Sequence, residues 1–192
     1  MKKYLIIIFV FGFSLNMFAQ EQEIQMSAEQ KAWMEYMTPG DEQKRMANLA
    51  GEWKAEIKMW MLPDTEAMVS EGKVINEMIL GGRYLQSKHS GIMMGQPMEG
   101  LNIEGFDNAT KEYKSVWIDN MGTGIMTSAG KYDAESKSII YYGLMVDPIE
   151  KKEVKIKEIV KNIDNDTQFF ELFIDAKGTE FKTMEIKMTR VK

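Results

Sequence analysis

The stretch Trp53-Lys54-Ala55-Glu56-Ile57-Lys58-Met59-Trp60-Met61 decides the fold class. Its apolar and charged residues alternate, the period of a strand with one face packed and the other in water. The period continues through Val69–Leu80, Arg83–His89, Met98–Phe106, Tyr113–Asp119 and Thr123–Tyr132, then Ser138–Val146, Val154–Asn162, Gln168–Ile174 and Glu180–Val191. Between these segments lie turns with an Asp near the start: Asp107-Asn108, Asp133-Ala134, Asp147-Pro148, Asp164-Asn165 and Asp175-Ala176-Lys177-Gly178. Asp and Asn side chains satisfy turn backbone locally, so these are hairpin signals with a mechanism. About ten short strands without an intervening helix predict an all-β chain, an antiparallel up-and-down β-barrel. Closure leaves no unpaired sheet edge. A two-sheet sandwich is the alternative.

Upstream of Trp53 the period changes to that of helices. Ser27 and Gln30 have the spacing of a capping box, and Trp33, Tyr36 and Met37 fall on one face, the mark of a packed stripe. Pro39-Gly40 ends that helix. Asp41 is a plausible cap for a second, with Met46, Leu49 and Ala50 on its buried side. Residues 20–48 therefore form a short helical segment ahead of a barrel domain at 49–192.

The first nineteen residues have the layout of a secretory signal peptide. Lys2 and Lys3 precede an apolar run from Tyr4 to Leu15, and Ala19 stands at a cleavage position before polar Gln20-Glu21-Gln22-Glu23. The run is shorter than a spanning helix, and no cysteine follows it to carry a lipid. The expectation is a periplasmic or secreted protein without membrane insertion once residues 1–19 are removed. Removal takes away two lysines and no acid, moving the net charge from −5 to −7. An acidic chain without a basic cluster is a poor partner for nucleic acid. The absence of cysteine excludes disulfides, thiolate catalysis and cysteine metal sites.

Several stretches together resemble a known family. They are Leu49-Ala50-Gly51-Glu52-Trp53, Leu80-Gly81-Gly82-Arg83-Tyr84-Leu85, Gly95-Gln96-Pro97-Met98-Glu99-Gly100, Gly105-Phe106-Asp107-Asn108 and Trp117-Ile118-Asp119-Asn120-Met121-Gly122-Thr123-Gly124. The set resembles the bacterial domain-of-unknown-function family 1579 over roughly residues 40–192, with Phe106 where Tyr is expected. That resemblance implies a barrel of the lipocalin-like (calycin) kind and no agreed activity. Gly51-Glu52-Trp53 also matches the opening motif of lipocalins. By that likeness Trp53 closes the barrel base, with Gly51 before it, and Arg190 near the last strand lies across its ring.

The residues with chemistry to offer are few. His89 is the single histidine, so neither an imidazole zinc site nor a Ser-His-Asp triad is expected. Nitrobindins, among calycin-like barrels, hold haem through one histidine, but a surface or rim position is the plainer reading of His89, and no cofactor is expected. Glu99, Glu104 and Asp119 lie on neighbouring strands, and Arg83, after the Gly81-Gly82 bend, is a natural internal partner for one of them. Tyr113, Ser115, Trp117 and Asp119 share one side of a strand and mix aromatic area with polar groups, the texture of a ligand cavity. Met121 continues that side, and the chain's 18 methionines suit either an adaptable ligand site or a core. The leading expectation is a binder of a small, largely apolar molecule through Arg83, Glu99, Tyr113, Trp117, Asp119 and Met121. A packed, non-catalytic interaction module comes second, and an enzyme using Arg83 with Glu99 or Asp119 third.

Overall fold

The computed structural model describes residues 26–176 and 178–192. Two helices, α1 (Ala28–Met37) and α2 (Asp41–Ala47), precede ten strands. These are β1 (Gly51–Met59), β2 (Met68–Ile79), β3 (Tyr84–Met93), β4 (Gln96–Asp107) and β5 (Glu112–Asp119), then β6 (Met126–Asp133), β7 (Ser138–Asp147), β8 (Lys152–Asn162), β9 (Thr167–Ala176) and β10 (Thr179–Arg190). Each strand pairs antiparallel with its sequence neighbours, and β1 pairs with β10, which closes the barrel. The meander expected from the period is therefore the architecture, and the sandwich is not.

The turns work through the acids that announced them. Asp107 accepts from Ala109 N (2.8 Å) and Thr110 N (3.2 Å), and Asp147 from Ile149 N (2.7 Å) and Glu150 N (3.1 Å). Asp133, Asp164 and Asp175 make similar bonds to Ser136 N, Asp166 N and Gly178 N. In three of these hairpins a lysine four residues after the Asp takes a left-handed backbone: Lys111 (φ 56°), Lys137 (φ 54°) and Lys151 (φ 55°). The lysine reverses the chain where glycine is the usual choice.

One end of the barrel is sealed by the N-terminal segment. Met46 of α2 is buried, and Leu49 packs on the cluster of Trp53, Ala55, Ile57, Val74 and Met188. The Leu49 carbonyl accepts from Trp53 Nε1 (2.9 Å) and Asn76 Nδ2 (3.0 Å). Gln43 Nε2 donates to the Phe106 carbonyl (3.1 Å), and the Tyr113 hydroxyl donates to Glu42. Gly40 rather than Asp41 caps α2, and its N–H donates to Gln43 Oε1 (2.7 Å). Arg190 faces Trp53 in the β1–β10 register, its guanidinium over the indole, as the opening motif implied. It also donates to the carbonyls of Asn48 (2.6 Å), Ala50 (2.6 Å) and Asn165 (2.9 Å), tying the last strand to the helical segment.

Helix α1 departs from expectation. The capping box at Ser27 and Gln30 forms, but the stripe it introduces is not packed: Trp33 is 63% exposed and Tyr36 49%. Only the helix end is held, by Arg83 Nη2 on the Met37 carbonyl (2.8 Å) and Asn108 Nδ2 on the Thr38 carbonyl (2.8 Å). Apolar spacing identifies a helix face, and a partner element must still reach that face. The cleavage segment 1–19 lies outside the described residues.

Candidate functional site

Strand alternation sends one residue in two into the barrel. On β1, β2, β9 and β10 these are mostly apolar: Trp53, Ala55, Ile57, Val74, Phe170, Ile186 and Met188. On β3 to β8 polar residues join the apolar ones: His89, Asn102, Glu104, Ser115, Asp119, Ser128 and Glu158 are in inward register beside Leu85, Met98, Ile139 and Ile156. The buried apolar residues accordingly form two separate clusters, one around Trp53 and one of Tyr113, Ile139 and Tyr141. A packed domain usually has one contiguous core. Toward the hairpins opposite the helices, inward-facing Met145, Val154, Leu172 and Ile174 are only half-buried, so that end admits solvent.

Two carboxylates sit within the polar wall. Glu158 is buried and accepts from the Ser128 hydroxyl (2.8 Å); burial raises its pKa, and that bond partly offsets the effect. Burial pushes Glu104 up to about 7, the Tyr141 hydroxyl acting against the shift and the Glu158 charge adding to it. No ion pair among the described residues involves either acid. Tyr141, on β7 directly across from Glu158, is 1% exposed. Its hydroxyl lies against Glu104 without completing a hydrogen bond, and burial and that acid raise its pKa well above normal. Asn76 Oδ1 is a second buried polar atom without a partner.

Nearer the open end stand Trp117 and Asp119. Trp117 Nε1 donates to Asp119 Oδ2 (2.6 Å), while Asp119 Oδ1 accepts from Met121 N (2.9 Å) and Gly122 N (3.1 Å). One acid thus orients the indole and shapes the β5–β6 loop. The His89 ring meets Trp117 edge-to-face, centroids 5.0 Å apart, and burial lowers its pKa to about 4, which leaves the imidazole neutral at pH 7. His89 therefore points inward and is half-buried beside the open end, a rim position rather than the outer surface. A depression of about 500 Å³ touches His89, Gly100 and Asp119 and continues onto outward Ile75, Leu101 and Ile118. A cleft of about 330 Å³ lies at the helix-covered end, with Ile139 and Val160 in its wall and Arg45 and Lys137 among its polar lining.

The expected set is only partly assembled. Tyr113, Trp117 and Asp119 share one side of β5, and that side, which alternation alone left open against the Val116 and Ile118 side, faces the interior. Arg83 does not join them: it is exposed at the β2–β3 turn, its guanidinium spent on the carbonyls of Met37, Leu80 and Gly81. Glu99 is exposed on the outer face, one residue out of phase with inward Met98 and Gly100, and Met121 is an exposed loop residue. With Arg83 at one end and Glu99 outside, the geometry does not assemble the Arg83–carboxylate pair on which an enzyme reading rested. Glu158, Tyr141 and Ser128 had been missed. Glu158 did leave a signal, since it falls in the apolar phase of Val154, Ile156 and Val160. Tyr141 left none, because Ser138–Val146 is apolar on both faces. Among the described residues no three acid or histidine side chains converge to hold a metal ion.

Comparison with known proteins agrees with this architecture. Rv2717c from M. tuberculosis superposes with a TM-score of 0.59 at 15% identity, over 81% of this chain and 100% of that one. An S-type phycobiliprotein lyase, CPES, from Guillardia theta superposes with a TM-score of 0.54 at 10% identity, over 83% of this chain and 97% of that one. At such identities the likeness is one of fold, a lipocalin-like barrel. No protein of curated function matches the chain. The model of the DUF1579 family, described as proteins of unknown function, matches residues 38–190, from the end of α1 to the last residue of β10, and the chain belongs to that family.

Proposed function

We propose that the protein is a binding protein whose barrel interior takes one small molecule with an apolar body and a polar group. The observation that carries this is the concentration of inward polar side chains on β3 to β8 against the mostly apolar β1, β2, β9 and β10, with the Tyr141 hydroxyl buried there and Asn76 Oδ1 at the sealed end, both without a partner. A buried polar atom without a partner costs about 1–3 kcal/mol, and a barrel evolved only to be packed has no use for it. A ligand that completes those bonds offsets the cost when it binds. That one barrel of similar fold is a phycobiliprotein lyase accords with this reading. The segment 1–19 supports export, which places the ligand outside the cytoplasm.

The test is native mass spectrometry on protein purified from its own host, paired with titration of an environment-sensitive dye. A small molecule that travels with the protein, or saturable dye binding that Trp117→Phe weakens, supports the proposal. A chain free of any passenger that binds no dye is a packed module instead.

A further inference from the structure

Resting on that binding reading, we infer that the ligand carries a nitrogen that donates hydrogen bonds, an amine or amidine. It docks between Glu104, Glu158 and the Tyr141 hydroxyl, with its apolar body against the wall of β1, β2, β9 and β10. The polar wall is rich in acceptors and poor in charge partners. Among the described residues every ion pair lies outside this cluster; the polar side chains that face it are Tyr113, Tyr141, Ser115, Ser128 and Asn102, none of them a cation, and Arg45 of α2 reaches only Tyr113 from outside. Ser128 satisfies one oxygen of Glu158, and the Glu104 carboxyl lies against the Tyr141 hydroxyl, across the sheet from Ser115, with no cation beside it. Two acids and a phenol thus face one part of the interior, with hydroxyls as their donors and no cation among them. A ligand carboxylate placed there would add a third like charge in a poorly solvated site. An alcohol would supply one donor. A protonated amine supplies up to three donors and the missing charge.

Cation binding also has a proton signature. Two neighbouring acids, one buried and one half-buried, hold on to a proton near neutral pH, as the raised position of Glu104 indicates. An ammonium group that enters replaces that proton. Amine affinity therefore rises with pH across the titration of the pair, while the affinity of a neutral analogue does not.

The experiment uses three probes with one apolar body, 1-naphthylmethylamine, 1-naphthalenemethanol and 1-naphthoic acid, titrated calorimetrically into the whole protein at pH 8 and about 0.15 M salt to screen surface charge. The expected result is amine binding at least tenfold tighter than alcohol, with the acid weakest. Glu104→Gln and Glu158→Gln should each remove most of that preference, bringing the amine and alcohol affinities close together. Glu99→Gln, on the outer face, should leave all three as they are. Thermal melts check that the glutamine variants fold, and the wild-type pH series from 6 to 8, with amine affinity rising and alcohol affinity flat, needs no variant at all. Saturable binding in which alcohol or acid equals the amine, or an amine preference that survives both glutamine variants, overturns the inference and leaves the binding reading standing. If none of the three probes binds, the binding reading falls and the inference with it.

Discussion

The guanidinium carbon of Arg190 lies 4.3 Å from the centroid of the Trp53 ring, so the last strand closes over the first through a cation on an indole. The same guanidinium donates to three carbonyls of the helical segment and the β8–β9 turn, and pairs with Asp166 (3.2 Å). Lysine cannot reproduce that planar fork. Arg190→Lys should therefore cost about 2–3 kcal/mol in urea unfolding, from several lost hydrogen bonds and the lost stacking. Unchanged stability would mean that the Arg190 contacts do not hold the closure.

Gly100 on β4 makes room for the Trp117 ring. A Cβ at Gly100 would stand 2.3 Å from the indole Cη2. Gly100→Ala should displace the ring, lower stability by about 1–3 kcal/mol and shift the tryptophan emission. Adding Trp117→Leu should recover part of that loss, because the smaller side chain vacates the space. Purely additive losses in the double-mutant cycle would show that the two residues do not meet.

Stability should depend on pH through two interior groups of opposite sign. Glu104 is raised from 4.5 to about 7, so the folded state holds more protons than the unfolded one between those values, and stability falls as pH climbs through that window. His89 is lowered from 6.5 to about 4, so stability rises with pH between 4 and 6.5. The two slopes offset each other from 4.5 to 6.5, and the Glu104 decline stands alone from there to about 7. Glu104→Gln should remove most of that decline, leaving the share that raised Glu158 contributes, expose the His89 rise and stabilise the protein at pH 8 by up to about 3 kcal/mol. Urea titrations at pH 5, 6, 7 and 8 decide this, and a variant whose profile parallels the wild type would place Glu104 in contact with water.

Lys111, Lys137 and Lys151 carry left-handed backbone at equivalent turn positions. Substituting each by glycine should raise stability by about 0.5 kcal/mol, the relief of Cβ strain exceeding the extra chain entropy. Thermal melts of the triple variant should show a clear gain. A loss would mean that the lysine side chains contribute contacts worth more than the strain.

Export is testable at the N-terminus. Sequencing protein from the cell envelope fraction should find Gln20 as the first residue, and a cytoplasmic chain that begins at Met1 would refute the signal reading.

Most of the barrel was legible in the sequence because alternation and turn chemistry are local. Trp53-Lys54-Ala55-Glu56-Ile57 states its buried face without reference to any other strand, and Asp107 or Asp147 ends a strand by bonding its own neighbours. That Tyr113, Trp117 and Asp119 share one side was legible for the same reason, whereas which side faces in was decided by the closed sheet.

What the local pattern does not carry is which distant residues meet. The bend at Gly81-Gly82 turns Arg83 toward the Met37 carbonyl instead of into the barrel, and a shift of one residue in phase puts Glu99 outside while Glu104 points in. Glu104, Tyr141 and Glu158 come from strands four, seven and eight, and only closure of the sheet brings them to one space. The sequence by itself determined the strands, their faces and the turns, because each depends on residues within a few positions. The tertiary structure decided the site, because the burial that raises Glu104 and the missing partner of Tyr141 exist only when the curved wall encloses them.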